Sequence, residues 1–121
     1  MTSVTLGGEG GRPFPSYNPR TIGGRSGAYI DQLTINGQVH GGQGGSPTST
    51  FTFSDNEYID SITVRHGLYI DSFSFTTSEG RRWGPYGGSG GSSTTIKNIC
   101  VVGIAGRSGR FIDQLKIHYL Y

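Results

Sequence analysis

Two short phrases each occur three times in this chain, and any fold it adopts must accommodate both sets. The first runs Arg25-Ser26-Gly27-Ala28-Tyr29-Ile30-Asp31, then Arg65-His66-Gly67-Leu68-Tyr69-Ile70-Asp71, then Arg107-Ser108-Gly109-Arg110-Phe111-Ile112-Asp113. Its shared core is Gly-x-aromatic-Ile-Asp. The second is Gly-Gly-x-Gly-Gly, at Gly7–Gly11, Gly41–Gly45 and Gly87–Gly91. The aspartates lie 40 and 42 residues apart, and the glycine phrases start 34 and 46 apart. A unit of about 40 residues is therefore present three times in 121. Such a unit cannot cover its own apolar face, but three packed in a ring can.

The units read as strands. No window carries a sustained 3.6-residue period, and Thr, Ile, Phe and Tyr dominate. Tyr29, Asp31, Leu33 and Ile35 alternate onto one face, with Ile30, Gln32 and Thr34 on the other. Asn36-Gly37 predicts a hairpin turn. Thr50 to Phe53 alternates again, and Tyr58, Ile62 and Val64 share a face of the next strand. Phe73 and Phe75 pair on one side of a strand from Tyr69 to Thr76. Residues 78–82 read as a loop leading to Trp83 and Tyr86. Ile99 to Ile104 and Phe111 to Tyr121 complete the set. Pro13, Pro15 and Pro19 restrict the segment after the first glycine phrase to an extended connector or an edge. The expected architecture is all-β: one domain over residues 1–121 with three internal repeats, as three four-stranded sheets in a β-prism of pseudo-threefold symmetry. Its first and last strands must meet to close the ring.

Composition narrows the chemistry. Fifteen of the 22 glycines fall inside the six phrases, so glycine here is punctuation and not a disordered tract. Ten basic residues against eight acidic ones give a net charge of +2, which demands no polyanion partner. No stretch is apolar enough for a membrane-spanning helix, so no membrane insertion is expected, and Met1–Leu6 shows no secretion signal. These features predict a soluble chain and leave its location open. A single Cys100 in an apolar run predicts a buried, inert thiol. His40, His66 and His118 have no metal-ligand spacing, so neither metal nor other cofactor is expected. The glycine phrases lack the Gly-Lys-Ser/Thr of a phosphate loop. The three aspartates belong to different corners and make no acid/base pair, so no enzyme is expected.

The phrases do suit one task. A glycine turn sets an aspartate where a strand begins, and its two oxygens can accept from two adjacent hydroxyls of a sugar. The ring two residues earlier offers a flat wall for the sugar's C–H face. A glycine loop brings bare backbone N–H groups close to the same point. Ring closure pairs Asp31 with Gly41–Gly45, Asp71 with Gly87–Gly91, and Asp113 with Gly7–Gly11. Two other readings stand beside this one. The phrases can be structural corners alone. Alternatively Arg25, Arg65, Arg107, Arg81 and Arg82 can join Trp83 and Tyr86 in a surface for single-stranded nucleic acid, which the low net charge disfavours.

Three Gly-Gly-x-Gly-Gly loops with three Gly-x-aromatic-x-Asp corners resemble the jacalin-related lectins. The likeness runs along the whole chain and includes Gly44-Gly45-Ser46-Pro47 and Gly80-Arg81-Arg82-Trp83-Gly84-Pro85-Tyr86. It implies a β-prism with three sites for mannose or glucose and multivalent binding of mannose-terminated glycans and glycoproteins. By that resemblance Asp31, Asp71 and Asp113 accept the O4 and O6 hydroxyls. Tyr29, Tyr69 and Phe111 flank the sugar. Main-chain N–H groups come from those rings' residues, from Ile30, Ile70 and Ile112, and from Gly45, Gly91 and Gly11. Two departures stand out. Phe111 replaces the tyrosine of the third corner. The segment between Gly11 and Asp31 is about two residues longer than in the family's three-site members. In such members it permits exchange of N-terminal strands, so the expectation is a monomer or a domain-swapped homodimer, with a lean to the monomer.

Overall fold

A computed structural model describes residues 1–121, which form strands and their connections with no helix. The chain opens with β1 (Thr2–Gly7) and β2 (Arg12–Tyr17). Next come β3 (Thr21–Ser26), β4 (Ile30–Ile35), β5 (Gln38–Gly41), β6 (Ser46–Pro47) and β7 (Phe51–Thr52). The third stretch holds β8 (Ile59–His66), β9 (Ile70–Thr77), β10 (Arg82–Gly87) and β11 (Ser92–Lys97). The last two are β12 (Cys100–Ser108) and β13 (Ile112–Leu120).

Every pairing is antiparallel, and the strands form three sheets of the same design. Their orders are β5-β4-β3-β6, β10-β9-β8-β11 and β1-β13-β12-β2. The first sheet has a fifth member because its outer strand is interrupted. β6 pairs the end of β3 at Arg25 and Ser26, and β7 pairs its start at Thr21 and Ile22. The third sheet takes its central hairpin from the end of the chain and both edges from the beginning. β1 runs along β13 from Thr2 opposite Tyr119 to Gly7 opposite Gln114. The proline-rich stretch is β2, an edge strand paired only with β12, where missing amide donors are tolerated.

The sheets enclose one cluster of 21 buried apolar residues. Ile22 and Ile35, Val64 and Phe73, Ile104 and Ile117 are wholly inaccessible, one pair from each sheet. Burying a side chain of this size contributes roughly 1.5–3 kcal/mol, and no sheet can do so alone. Trp83 packs between Phe73 and Phe75, with centroids 5.7 and 5.4 Å away. Its indole N–H donates to Ser49 O at 2.9 Å, tying two sheets together.

Two sequence expectations fail for a shared reason, the β-bulge. Ile30 was expected opposite Leu33, yet both are buried at 1 % exposure. Arg25 faces Gln32 and Ser26 faces Ile30, so Asp31 is an extra residue and alternation shifts by one. Asp60 does the same in β8, where Ile59 faces Thr77 and Ser61 faces Thr76. Ile59 is therefore buried, and Tyr58, expected on the face of Ile62 and Val64, is 41 % exposed. Cys100 is half-buried, because Ile99 and Val101 take the inward positions beside it. Tyr121 lies beyond β13 and is exposed. The strand expected at Thr50–Phe53 is only the two residues of β7, and Arg82 already belongs to β10.

One ion pair holds the turn before β8. The Glu57 side chain is fully buried and accepts from Arg81 Nε at 3.0 Å, from Ser54 N at 2.8 Å and from the Thr77 hydroxyl. The Arg81 guanidinium, chiefly by hydrogen bonding, holds the Glu57 carboxyl at about 2, below its ordinary 4.5. A depressed carboxylate stabilises the fold above its unfolded pKa, and that contribution is lost as pH falls through the folded value. Arg81→Met is expected to lower the urea midpoint at neutral pH. The gap from the parent protein should narrow as pH falls from 4.5 toward 2, which denaturation curves across that window will show.

Candidate functional site

The three corners are built alike. Gly27 N donates to Tyr29 O, Gly67 N to Tyr69 O and Gly109 N to Phe111 O, each at 2.9 Å. After each turn the aspartate is the extra residue of a bulge. Asp71 falls between the pairs His66–Ile70 and Arg65–Ser72, and Asp113 between Ser108–Ile112 and Arg107–Gln114. A bulge re-aims one side chain without breaking the ladder beyond it. Ile30, Ile70 and Ile112 point into the core, with exposures of 1 % or less. Only their backbone can face a ligand.

Each glycine loop closes over the aspartate that ring closure assigns to it. The second glycine's amide donates to the aspartate's backbone carbonyl at 2.8 Å: Gly42 to Asp31, Gly88 to Asp71, Gly8 to Asp113. A Cβ on the third glycine (Gly44, Gly90 or Gly10) would stand 2.6 Å from that aspartate's Oδ2. On the fourth (Gly45, Gly91 or Gly11) it would stand 2.7 Å from Oδ1, at a φ near +70° that disfavours side chains. The last two glycines of each loop are crowded by the carboxylate and the first two by backbone, which leaves no room for a side chain at any of them. The 14 backbone hydrogen bonds made outside the ladders include the second glycine's amide in each loop but not the fourth's.

The carboxylates are buried yet uncommitted. Asp31, Asp71 and Asp113 are 6–7 % exposed, and none joins a salt bridge. Asp113 Oδ1 is fully buried and has no hydrogen-bond partner, a rare state for a carboxylate oxygen. Burial raises the pKa of Asp31 and Asp113 above the ordinary 3.8, and the charges of Arg25 and Arg107 oppose that rise.

The three rings meet one another. Tyr29–Tyr69, Tyr29–Phe111 and Tyr69–Phe111 centroids are 5.1, 4.9 and 5.0 Å apart. This closed triangle joins one ring from each sheet, so the corners gather at one end of the prism. Phe111 completes the triangle as well as a tyrosine would, without a hydroxyl. A concavity of about 820 Å³ lies at the other end, between Asn36, Tyr58 and Val102, and holds no predicted site residue.

A jacalin-like lectin domain is matched over residues 3–118. The chain belongs to the jacalin-like lectin family. Griffithsin from Griffithsia sp. (strain Q66D336) is 49 % identical over 119 residues, covering 98 % of this chain and 97 % of that one. The jacalin-related lectin Calsepa from Calystegia sepium is 28 % identical over 93 % of this chain and 74 % of its own. Among solved structures, Malaysian banana lectin superposes with a TM-score of 0.82 at 30 % identity, covering 98 % and 97 % of the two chains. A mannose-specific jacalin-related lectin from Morus nigra, in complex with mannose, gives 0.81 at 27 % identity, covering 99 % and 94 %.

The lectin's arginines have a role that sequence reasoning missed. Arg25 reaches back to its loop, Nε to Gly44 O at 3.0 Å and Nη2 to Gly45 O at 2.8 Å. Arg65 holds Gly90 O and Gly91 O at 3.0 and 2.9 Å, and Arg107 holds Gly10 O and Gly11 O at 3.1 and 3.0 Å. Each fork turns two loop carbonyls toward itself and fixes the peptides beside the carboxylate. The available signal was the offset: every arginine stands six residues before its aspartate. Gln32 and Gln114 add a bond to Gly42 O and Gly8 O, at 3.0 and 3.1 Å, while the middle repeat has Ser72 at that position. Two of the three histidines are engaged in structural hydrogen bonds, His40 with the Tyr17 hydroxyl and His66 with Thr94. Arg65→Ala is expected to cost about 1–2 kcal/mol and to speed exchange selectively at Gly88, the loop amide that Asp71 O accepts. Exchange measured by NMR should leave Gly42 and Gly8, the matching amides of the other loops, at their parent rates.

Proposed function

We propose that this lectin binds terminal mannose, or the closely related glucose, at three equivalent corners. Asp31, Asp71 and Asp113 accept the O4 and O6 hydroxyls, and the last-glycine amides of Gly45, Gly91 and Gly11 donate to the sugar. The observation that carries this reading is the uncommitted, buried carboxylate beside an unspent glycine amide, repeated three times. A sugar's paired hydroxyls complement such a pair, each donating to one carboxylate oxygen. Tyr29, Tyr69 and Phe111 are half-buried and leave ring edge for the sugar's C–H surface. The similarity to griffithsin and to the mannose-bound Morus nigra lectin supports the same ligand class.

Binding is the whole activity in this proposal. The carboxylates are separated by an aromatic triangle and work singly, without an acid/base partner. A shallow single site holds a monosaccharide with roughly millimolar affinity. Three sites at one end of the prism engage several arms of a branched glycan, which raises affinity by roughly 10²–10⁴. We assign the working form as the monomer, with β1 and β2 folded onto β13 and β12 of their own chain. The nucleic-acid reading loses most of its surface, since Arg25, Arg65 and Arg107 hold loop carbonyls and Arg81 holds Glu57.

Asp31→Asn, Asp71→Asn and Asp113→Asn should each remove one of three binding equivalents for methyl α-mannoside in calorimetry. Unchanged stoichiometry in all three variants would sink the assignment. Each substitution nearly preserves shape, and circular dichroism will show whether the fold is retained.

A further inference from the structure

The sites are equivalent in their own corners but not in their borders. The second glycine of each loop lies against the variable residue of a different repeat's corner. A Cβ on Gly42 would stand 3.4 Å from the Cα of Arg110, one on Gly8 3.2 Å from that of Leu68, and one on Gly88 3.2 Å from that of Ala28. So Arg110 borders the Asp31 site, Leu68 the Asp113 site and Ala28 the Asp71 site. The contact is cyclic, and each corner serves its own site with aspartate and a neighbour's with the residue before its ring.

The three bordering residues differ in charge and size. Arg110 is exposed, and the chain's one salt bridge, Arg81–Glu57, does not involve it. Leu68 is 80 % exposed, an unusual setting for leucine. The middle positions of the loops differ in the same sense: Gln43 at the Asp31 site, Ser89 at the Asp71 site and Glu9 at the Asp113 site, all exposed. The Asp31 site thus has a free cation and a neutral amide at its rim, and the Asp71 site is neutral and small. The Asp113 site has an apolar wall and an anion.

Building on the assignment of these corners as mannose sites, we propose that the three sites divide glycans by charge. The Asp31 site takes anionic mannosides, those carrying a phosphate, sulfate or uronate next to the mannose, through Arg110. The Asp113 site rejects them through Glu9 and takes neutral or apolar neighbours against Leu68. The Asp71 site stands between. The guanidinium suits the first role because it stays charged and presents several donors to an oxyanion. The attraction is that of an exposed pair, so it biases selection among sites without creating affinity by itself.

The test uses three full-length double variants, each keeping one aspartate and carrying asparagine at the other two. Each is titrated with methyl α-mannoside and with α-mannose 1-phosphate, whose charge sits at the anomeric oxygen and leaves O4 and O6 free. The readout is the ratio of the two affinities in one variant at low salt. That ratio should favour the phosphate by about two- to fivefold at the Asp31 site and fall in the order Asp31, Asp71, Asp113. Adding Arg110→Gln to the Asp31 variant should abolish the preference, and so should raising the salt. Methyl α-mannoside binding with equal ratios at all three sites, or a preference that survives Arg110→Gln, overturns the charge division and leaves the mannose assignment intact. No methyl α-mannoside binding by any variant overturns both.

Discussion

Everything at the end of the prism where the three corners gather depends on one close approach, the glycine loop against a bulged aspartate. The last two glycines lie so near the carboxylate that a Cβ on either would overlap an oxygen. The bulge turns the aspartate out of the strand's alternation, and the loop then closes over it. Neither half is stable in this form alone. The loop has few backbone bonds of its own, and an arginine fork from the adjoining strand supplies two more. The carboxylate is buried by the loop and left without a cation partner. The cost of that burial is visible in the raised pKa of Asp31 and Asp113. What the arrangement yields is a rigid acceptor beside a rigid donor, with little left to order when a ligand arrives.

Ring closure puts the third copy of this contact under a different constraint. Asp113 and Arg107 are near the end of the chain, and Gly7–Gly11 are near its start. The third sheet can form only when β1 returns to β13 and β2 to β12. The same sheet also supplies Ile104, Leu115 and Ile117 to the common core. Site formation and completion of the core are therefore one event at this corner. In the other two repeats the loop and the aspartate are neighbours in sequence.

Much of this was legible before any coordinates. Repetition at a period of about 40 residues pointed to three units in a ring, and the ring paired loops with aspartates by necessity. What was hidden has identifiable causes. A bulge changes the parity of a strand, so Ile30 and Tyr58 were placed on the wrong faces. β11, Ser92-Ser93-Thr94-Thr95-Ile96-Lys97, is an outer strand with little apolar alternation to reveal it. The arginine forks bind backbone carbonyls 19 to 97 residues away, and a carbonyl leaves no mark in a sequence. The borders made by Ala28, Leu68 and Arg110 join different repeats across the ring, which no local pattern encodes. Repetition pointed to three like corners, but it directed attention to what the copies share and away from where they differ.

The central claim is that three glycine–aspartate corners at one end of the prism bind sugar independently of the large groove at the other end. The most direct measurement is a ¹⁵N–¹H correlation titration of the intact lectin with methyl α-mannoside. The account predicts saturable shifts at the amides of Gly11, Gly45 and Gly91, with Asn36, Tyr58 and Val102 unmoved. Shifts confined to the groove, or absent from all three glycines at saturating sugar, would contradict it.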